Sequence, residues 1–425
     1  MNQATRHSAF VNMSPRISPP ARGSGPGHFR LLLVAEPTVA WFELARQLSL
    51  LDAQSETVIE PDLTAALALL GRQTFDVVAA DLCLPDDGAV PLLEAVERRF
   101  PQLLRVVLAD DAASLTFAEA AHFAHQLLPQ LCDAGLLRAT IDSALAATRR
   151  IVDPAVGGAL LRLNTLPDTP ALRQTLLGLL ADDDVDVDQI EEGINRDPAA
   201  AAKILQIANS AYYGSRGGVA SVGEAISIIG LDTVRAIVAA GQVFSKLAPA
   251  GPASPGLAEL WQHSVVTGVM VRRVAAQLGA GTACGRAALT AGLLHDVGKI
   301  VLHVAFGDRY VALVRECGTR GWTLWPEEIR RFGLHHGTAG ARLLELWGLP
   351  PEVVAAVELH HLPHRSQDET ISPLTLVHIA NGLAHGAGEG ARAESALDRS
   401  YLRRLLPADA VGAWTGTGPL EIASR

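Results

Sequence analysis

Cysteine is scarce in this 425-residue chain. The four present, Cys83, Cys132, Cys284 and Cys317, are far apart and form no Cys-x-x-Cys pair, so a disulfide framework is not expected and they read as reduced core thiols. Long apolar runs are missing too. No stretch reaches the ~18 uncharged apolar residues of a membrane helix, so no membrane partner is expected. The first residues, rich in Ser, Pro, Gly and Arg, lack the apolar run of a signal peptide. Residues 1–28 therefore read as a disordered leader with Met13 as a second candidate start, and the expected location is cytoplasmic. An excess of positive charge is also absent. The net charge of -10 repels phosphate backbones, so nucleic acid is not an expected partner, although a local basic patch is compatible with it. No internal repeat is visible.

The chain does have ample apolar residues, 49% of the total, and a length that suits two or three domains at ~100–200 residues each. Leu31 to Ala35 is a short apolar run typical of a buried parallel strand. Further strands are expected over Glu56–Glu60, Phe75–Asp81 and Leu104–Ala109, alternating with helices over Val39–Leu51, Leu63–Leu70 and Gly88–Arg99. That alternation predicts a doubly wound parallel sheet with its site at the carboxyl ends of the strands. Strand signals stop near Ala134. A helix over Leu136–Arg149 leads out of the first domain, and everything from Leu166 onward reads helical. Asp197-Pro198 is an N-cap followed by proline, Ser221 to Glu224 has capping-box spacing, and Gly230 can end that helix. Ala248 to Gly256, rich in Pro and Gly, reads as a hinge between two helical halves, 155–247 and 257–405. The fold class is thus α/β plus all-α: a flavodoxin-like domain over 29–149, then an all-helical domain over 155–425.

Asp76-Val77-Val78 leading to Asp81, with Leu84-Pro85-Asp86-Asp87-Gly88 after it, resembles the response-regulator receiver family. The resemblance implies a phospho-acceptor at Asp81 with a Mg²⁺ ion beside it, because phosphoryl transfer needs a divalent cation and carboxylates to hold it. The pattern is incomplete. Ala35-Glu36 stands where the family has two acids, leaving Glu36 alone to assist Asp81. Ala109 replaces a Ser or Thr, and Gln130 replaces a Lys. The domain is expected to serve as a dimerisation or docking surface more than as a phosphorylation switch.

The second domain carries Ile194-Asn195-Arg196-Asp197-Pro198, then Lys203 to Gly214 with Asn209-Ser210-Ala211-Tyr212-Tyr213-Gly214, then Ser221 to Gly230. This ordered string resembles the HDOD family, an HD-related output domain. Asn209 and Ser210 are expected to cap a helix end. His295-Asp296-Val297-Gly298-Lys299 resembles the core signature of the HD superfamily of metal-dependent phosphohydrolases. By that resemblance His263, His295 and Asp296 would be primary ligands. Glu259, His336, His360, His361 and Asn381 would complete the set around zinc, manganese or iron. If the centre is active, Asp296 and Lys299 would be catalytic. Two departures weigh against activity: Asn381 stands where the superfamily has an aspartate, and Gly337-Thr338-Ala339-Gly340 replaces the Gly-Tyr-Pro signature of one phosphodiesterase branch.

Other candidates read as structural. His378 and His385 are taken as surface histidines, Lys299 as an ion-pair partner of Asp296, and Asp182 to Asp188 as a solvated helix start. Trp322 and Trp325 are taken as core anchors in an insertion loop. Two functions stay open. One is a bacterial signalling regulator in which a receiver-like input acts on a non-catalytic HDOD output through protein contacts, with a homodimer as one option. The other is a metal-dependent phosphodiesterase acting on a cyclic nucleotide. A pure scaffold is the third reading.

Overall fold

The structure is a computed structural model that describes residues 28–85, 88–112, 114–167, 170–180, 185–214, 218–247, 256–386 and 397–406. The expected leader up to residue 27, nearly all of the Pro/Gly hinge, Asp86-Asp87 and Asp182 to Asp184 lie outside these.

The first part alternates β1 (Arg30–Val34), α1 (Val39–Leu51), β2 (Glu56–Glu60), α2 (Leu63–Leu70), β3 (Val77–Asp81), α3 (Ala89–Arg99), β4 (Leu104–Ala109), α4 (Leu115–Phe123), β5 (Gln126–Pro129) and α5 (Ala134–Arg149). All five strands are parallel, in the order β2-β1-β3-β4-β5. β3 and β4 are buried along their whole length, which is why they read as unbroken apolar runs. Asp81 sits at the carboxyl end of central β3, as the sequence predicts. Neither α4 nor β5 has a signature of its own in the sequence.

The second part is helical among the described residues: α6 (Pro154–Arg162), α7 (Pro170–Leu180), α8 (Val187–Asn195), α9 (Pro198–Ala208), α10 (Val222–Ile229), α11 (Leu231–Leu247), α12 (Leu257–Leu278), α13 (Thr282–Leu294), α14 (Gly298–Phe306), α15 (Asp308–Arg320), α16 (Leu324–Phe332), α17 (His336–Leu346), α18 (Pro351–Leu359), α19 (Pro373–Gly386) and α20 (Arg399–Leu405). The predicted starts hold. Asp197 accepts from the amides of Ala199 and Ala200, and Ser221 accepts from that of Glu224. Asn209 ends α9 and binds both the N–H and the C=O of Val219, so its role is structural. Asp186 closes a reciprocal capping box with Gln189. Thr282–Phe306 is the one candidate membrane stretch by composition among the described residues. It is interrupted between α13 and α14, and 67% of its apolar window is buried inside the protein.

Sheet and helices share their cores. One apolar cluster joins Leu31 and Leu33 of β1 and Ile141 of α5 to Leu160 of α6 and Leu343 of α17. A second joins Val107, Phe117 and Leu127 to Ile204, Ile207 and Val234. The α4–β5–α5 side of the sheet is therefore pressed onto the helical part.

Candidate metal centre

Two histidine groups meet at Asp296. His263 (on α12) and His295 point at each other, Nε2 to Nε2 at 3.2 Å, and with Asp296 their candidate ligand atoms all lie within 4.8 Å of one another. His336, His360 and His361 form the second group, His336 Nε2 lying 3.0 Å from His361 Nε2. Asp296 gives one oxygen to each: Oδ1 stands 3.2 Å from His336 Nε2, and Oδ2 stands 3.4 Å from His295 Nε2. His295, Asp296, His336 and His360 are almost completely buried.

Local structure aims these nitrogens. His295 and His360 each follow the last turn of a helix, α13 and α18, and each donates Nδ1–H to the carbonyl three residues back, Gly292 at 2.8 Å and Val357 at 2.7 Å. A carbonyl only accepts, so the proton is on Nδ1 and the Nε2 lone pair faces the cluster. His360 Nε2 is buried and has no hydrogen-bond partner among the described residues. An imidazole lone pair held that way, among three other histidines and a carboxylate, is a fit for a metal ion. Gly298 makes the approach of the groups sterically possible. A Cβ there would stand 1.8 Å from the carbonyl oxygen of His336, so glycine lets the first turn of α17 lie directly on α14.

Glu328, on α16, is a participant that the sequence reading missed. It is fully buried, and its Oε2 accepts from both the backbone N–H of His336 (2.8 Å) and its Nδ1–H (2.7 Å), while Tyr310 donates to Oε1 at 2.7 Å. Burial opposes a charge on His336, but Glu328 and Asp296 outweigh it and lift the imidazole to about 9. Burial pushes His263 down to about 3 and His295 to about 4. For Asp296 burial acts upward, yet His295, Lys299 and His336 hold the carboxyl well below its usual range. A metal entering at His336 would have to displace its Nε2 proton. We expect Glu328→Gln to weaken divalent metal affinity roughly 10–100-fold, read by chelator competition, because outer carboxylates orient ligating histidines. Unchanged affinity would remove Glu328 from the centre.

Asn381 is where the resemblance puts it, its Oδ1 3.1 Å from His263 Nε2. Lys299 donates to Asp296 Oδ2 at 2.5 Å. Glu259 is a correction. It sits exposed in the first turn of α12 and joins neither group, because sharing a helix face with His263 does not bring the solvent end of the helix to the buried centre. His378 is buried, donating Nδ1–H to the His360 carbonyl and accepting from the Asp398 amide. It fixes the turn that carries His360 and is not a surface residue. His385 is exposed, with its ring 4.5 Å from that of His263. Trp322 is 41% exposed under the Arg320 guanidinium, and Trp325, at the start of α16, stacks against His361 with ring centroids 5.9 Å apart. Neither is a core anchor in an insertion loop. His335 turns away from the metal groups and caps α17 at the Gly337 amide.

The surroundings of Asp81 are a separate place. Asp81 Oδ1 accepts from Gln130 Nε2 at 2.9 Å and from the Cys83 amide at 3.0 Å. Gln130 thus occupies the position of the family's lysine, and Ala109 ends β4 without a hydroxyl. Glu36 is exposed; the acid whose charge bears on Asp81 is Asp110. Burial, with Asp110 adding to it, raises the Asp81 carboxyl. Because the folded value lies above the unfolded one, ionised Asp81 lowers stability as pH climbs from about 4 through the folded value. Asp81→Asn should therefore raise Tm at pH 7.5, and the gain should shrink as pH falls toward 4. A loss of stability, or a gain independent of pH, would contradict this placement.

Among known proteins, the HDOD domain model matches residues 166–363. An uncharacterized protein of Treponema pallidum (strain Nichols) is 26% identical over 216 residues, 49% of this chain and 40% of that protein, so the chain spans about two fifths of that relative's length. The MmoQ response regulator of Methylococcus capsulatus str. Bath is similar at 25% identity, covering 61% of this chain and 95% of that one, with a TM-score of 0.45. An HDOD domain protein with unknown function from Geobacter sulfurreducens is similar at 22% identity over 60% of this chain and 79% of that one, with a TM-score of 0.32. The chain thus carries an HDOD domain over residues 166–363, behind a five-stranded parallel sheet of flavodoxin-like order.

Proposed function

We propose that the chain is a signalling regulator whose receiver-like part acts on an HDOD output that works by protein contact, with a metal ion held in the helical core and no turnover. The observation that carries this is the enclosure of the centre. His295, Asp296, His336 and His360 are at most 2% exposed, and approach is left to the partly exposed His263, Lys299 and His361. Two cavities, about 500 Å³ beside Arg272 and Arg286 and about 670 Å³ beside Ser366, are lined by none of the residues of either group. A single ion fits such a place better than a phosphodiester does. Its partners would be proteins of the same pathway, a second copy of this chain included, in a bacterial cytoplasm.

His263, His295 and Asp296 on one side, and His336, His360 and His361 on the other, would hold zinc, manganese or iron. Such an ion would supply Lewis acidity toward a bound oxygen. The chain's own residues hold the rest of the site in place: Glu328 fixes His336, and Lys299 keeps a positive charge on Asp296. Asn381 offers a neutral oxygen where a carboxylate would add charge to a divalent site. At Asp81, the neutral Gln130 amide supports a docking role for the receiver pocket, with Mg²⁺-assisted phosphorylation as the alternative.

The sharing of Asp296 between the groups favours a second reading, a two-metal phosphohydrolase. Asn381→Asp separates the two. It should tighten Mn²⁺ binding by roughly tenfold or more, about 1.4 kcal/mol, while the unmodified chain leaves bis-p-nitrophenyl phosphate and cyclic dinucleotides intact. Turnover by the unmodified chain, equalled or lowered by the substitution, would establish the enzyme instead.

A further inference from the structure

β5 has two glutamines at its ends that bind in opposite directions. At the carboxyl end Gln130, the next residue after the strand, donates Nε2–H to Asp81 at 2.9 Å. At the amino end Gln126 donates Nε2–H to the carbonyl of Leu346, the last residue of α17, at 2.5 Å. Leu346 opens the turn between α17, which begins with His336, and α18, which is followed directly by His360.

We propose that β5 is a strap coupling the Asp81 pocket to the α17–α18 turn, so that a group displacing Gln130 from Asp81 alters how the turn holds His336 and His360. This rests on the reading of the chain as an input–output pair.

The strand is short and constrained on both edges. β4 bonds it on one side. On the other, Gln206 near the end of α9 donates to the carbonyls of Ala124 and His125, at 3.3 and 3.1 Å, where the chain enters β5. The one-turn helix Ala211–Tyr213 lies alongside, and its Tyr212 donates to the Asp110 carbonyl at 3.3 Å beside the pocket, with its ring 5.3 Å from that of Phe117. The receiving turn is equally tight. Gly348 has φ +77°, and a Cβ on it would stand 3.3 Å from the Asn209 carbonyl oxygen. A turn wedged against the end of α9 has little room to absorb a shift at Leu346 and would pass it to α18. A packed element with few alternative arrangements is what carries coupling between distant sites.

A double-mutant cycle read by hydrogen exchange tests this without metal and without an activity assay, so its outcome is independent of whether the centre is catalytic. Exchange is followed in peptides covering Leu343 to Leu349 of the full-length chain. Gln130→Ala should speed their exchange by about threefold or more in the otherwise native chain. The same substitution should have no further effect where Gln126→Met, similar in shape but without a donor, has already cut the strap. Gln126→Ala serves as a second cut if the methionine repacks. No response to Gln130→Ala in the native background overturns the proposal. An equal response in both backgrounds also overturns it, since the signal would then bypass β5.

Discussion

Asp296→Ala is expected to empty both histidine groups at once, lowering affinity for Mn²⁺ or Zn²⁺ by at least about 100-fold, beyond what loss of an outer carboxylate costs. Each group takes one oxygen of this carboxylate. Its removal leaves only Glu328, behind His336, as a carboxylate beside the imidazoles, while Lys299 loses its partner. The neutral nitrogens that remain, with His263 and His295 pushed low by burial, would have to hold a dication unaided in a nearly sealed space. Metal content after dialysis and chelator competition measure the effect. Retention of one metal per chain with near-native affinity would show that the groups act independently and that Asp296 does not join them.

Arg105→Ala should destabilise the protein by about 3–5 kcal/mol, among the largest single effects available, because a buried charged network is broken and a cavity is left. Arg105 is the second residue of β4 and is fully buried. Its Nε donates to the Phe123 carbonyl at 2.8 Å, and a terminal nitrogen reaches the carbonyls of Leu103 and Leu161 at 3.4 Å. Leu161 belongs to α6, so this guanidinium joins sheet to helices. Burial lowers its pKa to about 10, with Glu97 at 3.9 Å opposing the shift, so it stays charged at neutral pH. Alanine would leave the carbonyls without their donor and open space in a shared core. Arg105→Met, which fills that space, should cost less. Urea unfolding followed by both fluorescence and circular dichroism measures the loss, and the two probes should coincide because the cores are continuous. Separate transitions, or a cost under 1 kcal/mol, would show that the two parts are only loosely joined.

Legibility followed burial and local chemistry. β1, β3 and β4 are buried on both faces and announce themselves as apolar runs, and Asp81 stands out as an acid at the end of one. β5 does not: four residues that begin with a glutamine and end with a proline show no period, and an edge strand can tolerate that proline. His263, His295, Asp296, His336, His360, His361 and Asn381 were placed by family resemblance, and the structure gathers them. Spacing alone cannot place Glu259, because it predicts a shared helix face but not the depth of that face in the fold. Glu328 was invisible because it reaches His336 across a helix end, eight residues away, where no periodicity applies. Asp110, next to Ala109, carries no such mark in the sequence, since only the folded loop brings its charge to bear on Asp81. The pressing of α4, β5 and α5 onto the helices was equally hidden. It depends on which apolar faces meet, and composition is silent on that.

The most direct test of the central claim is to load the full-length chain with Mn²⁺, measure bound metal, and assay the same sample on cyclic dinucleotides and a generic phosphodiester. The account predicts metal retained through Asp296 and no phosphate ester cleaved above the rate of metal in buffer. Metal-dependent cleavage that Asp296→Ala abolishes would contradict it and make the enclosed centre an active site.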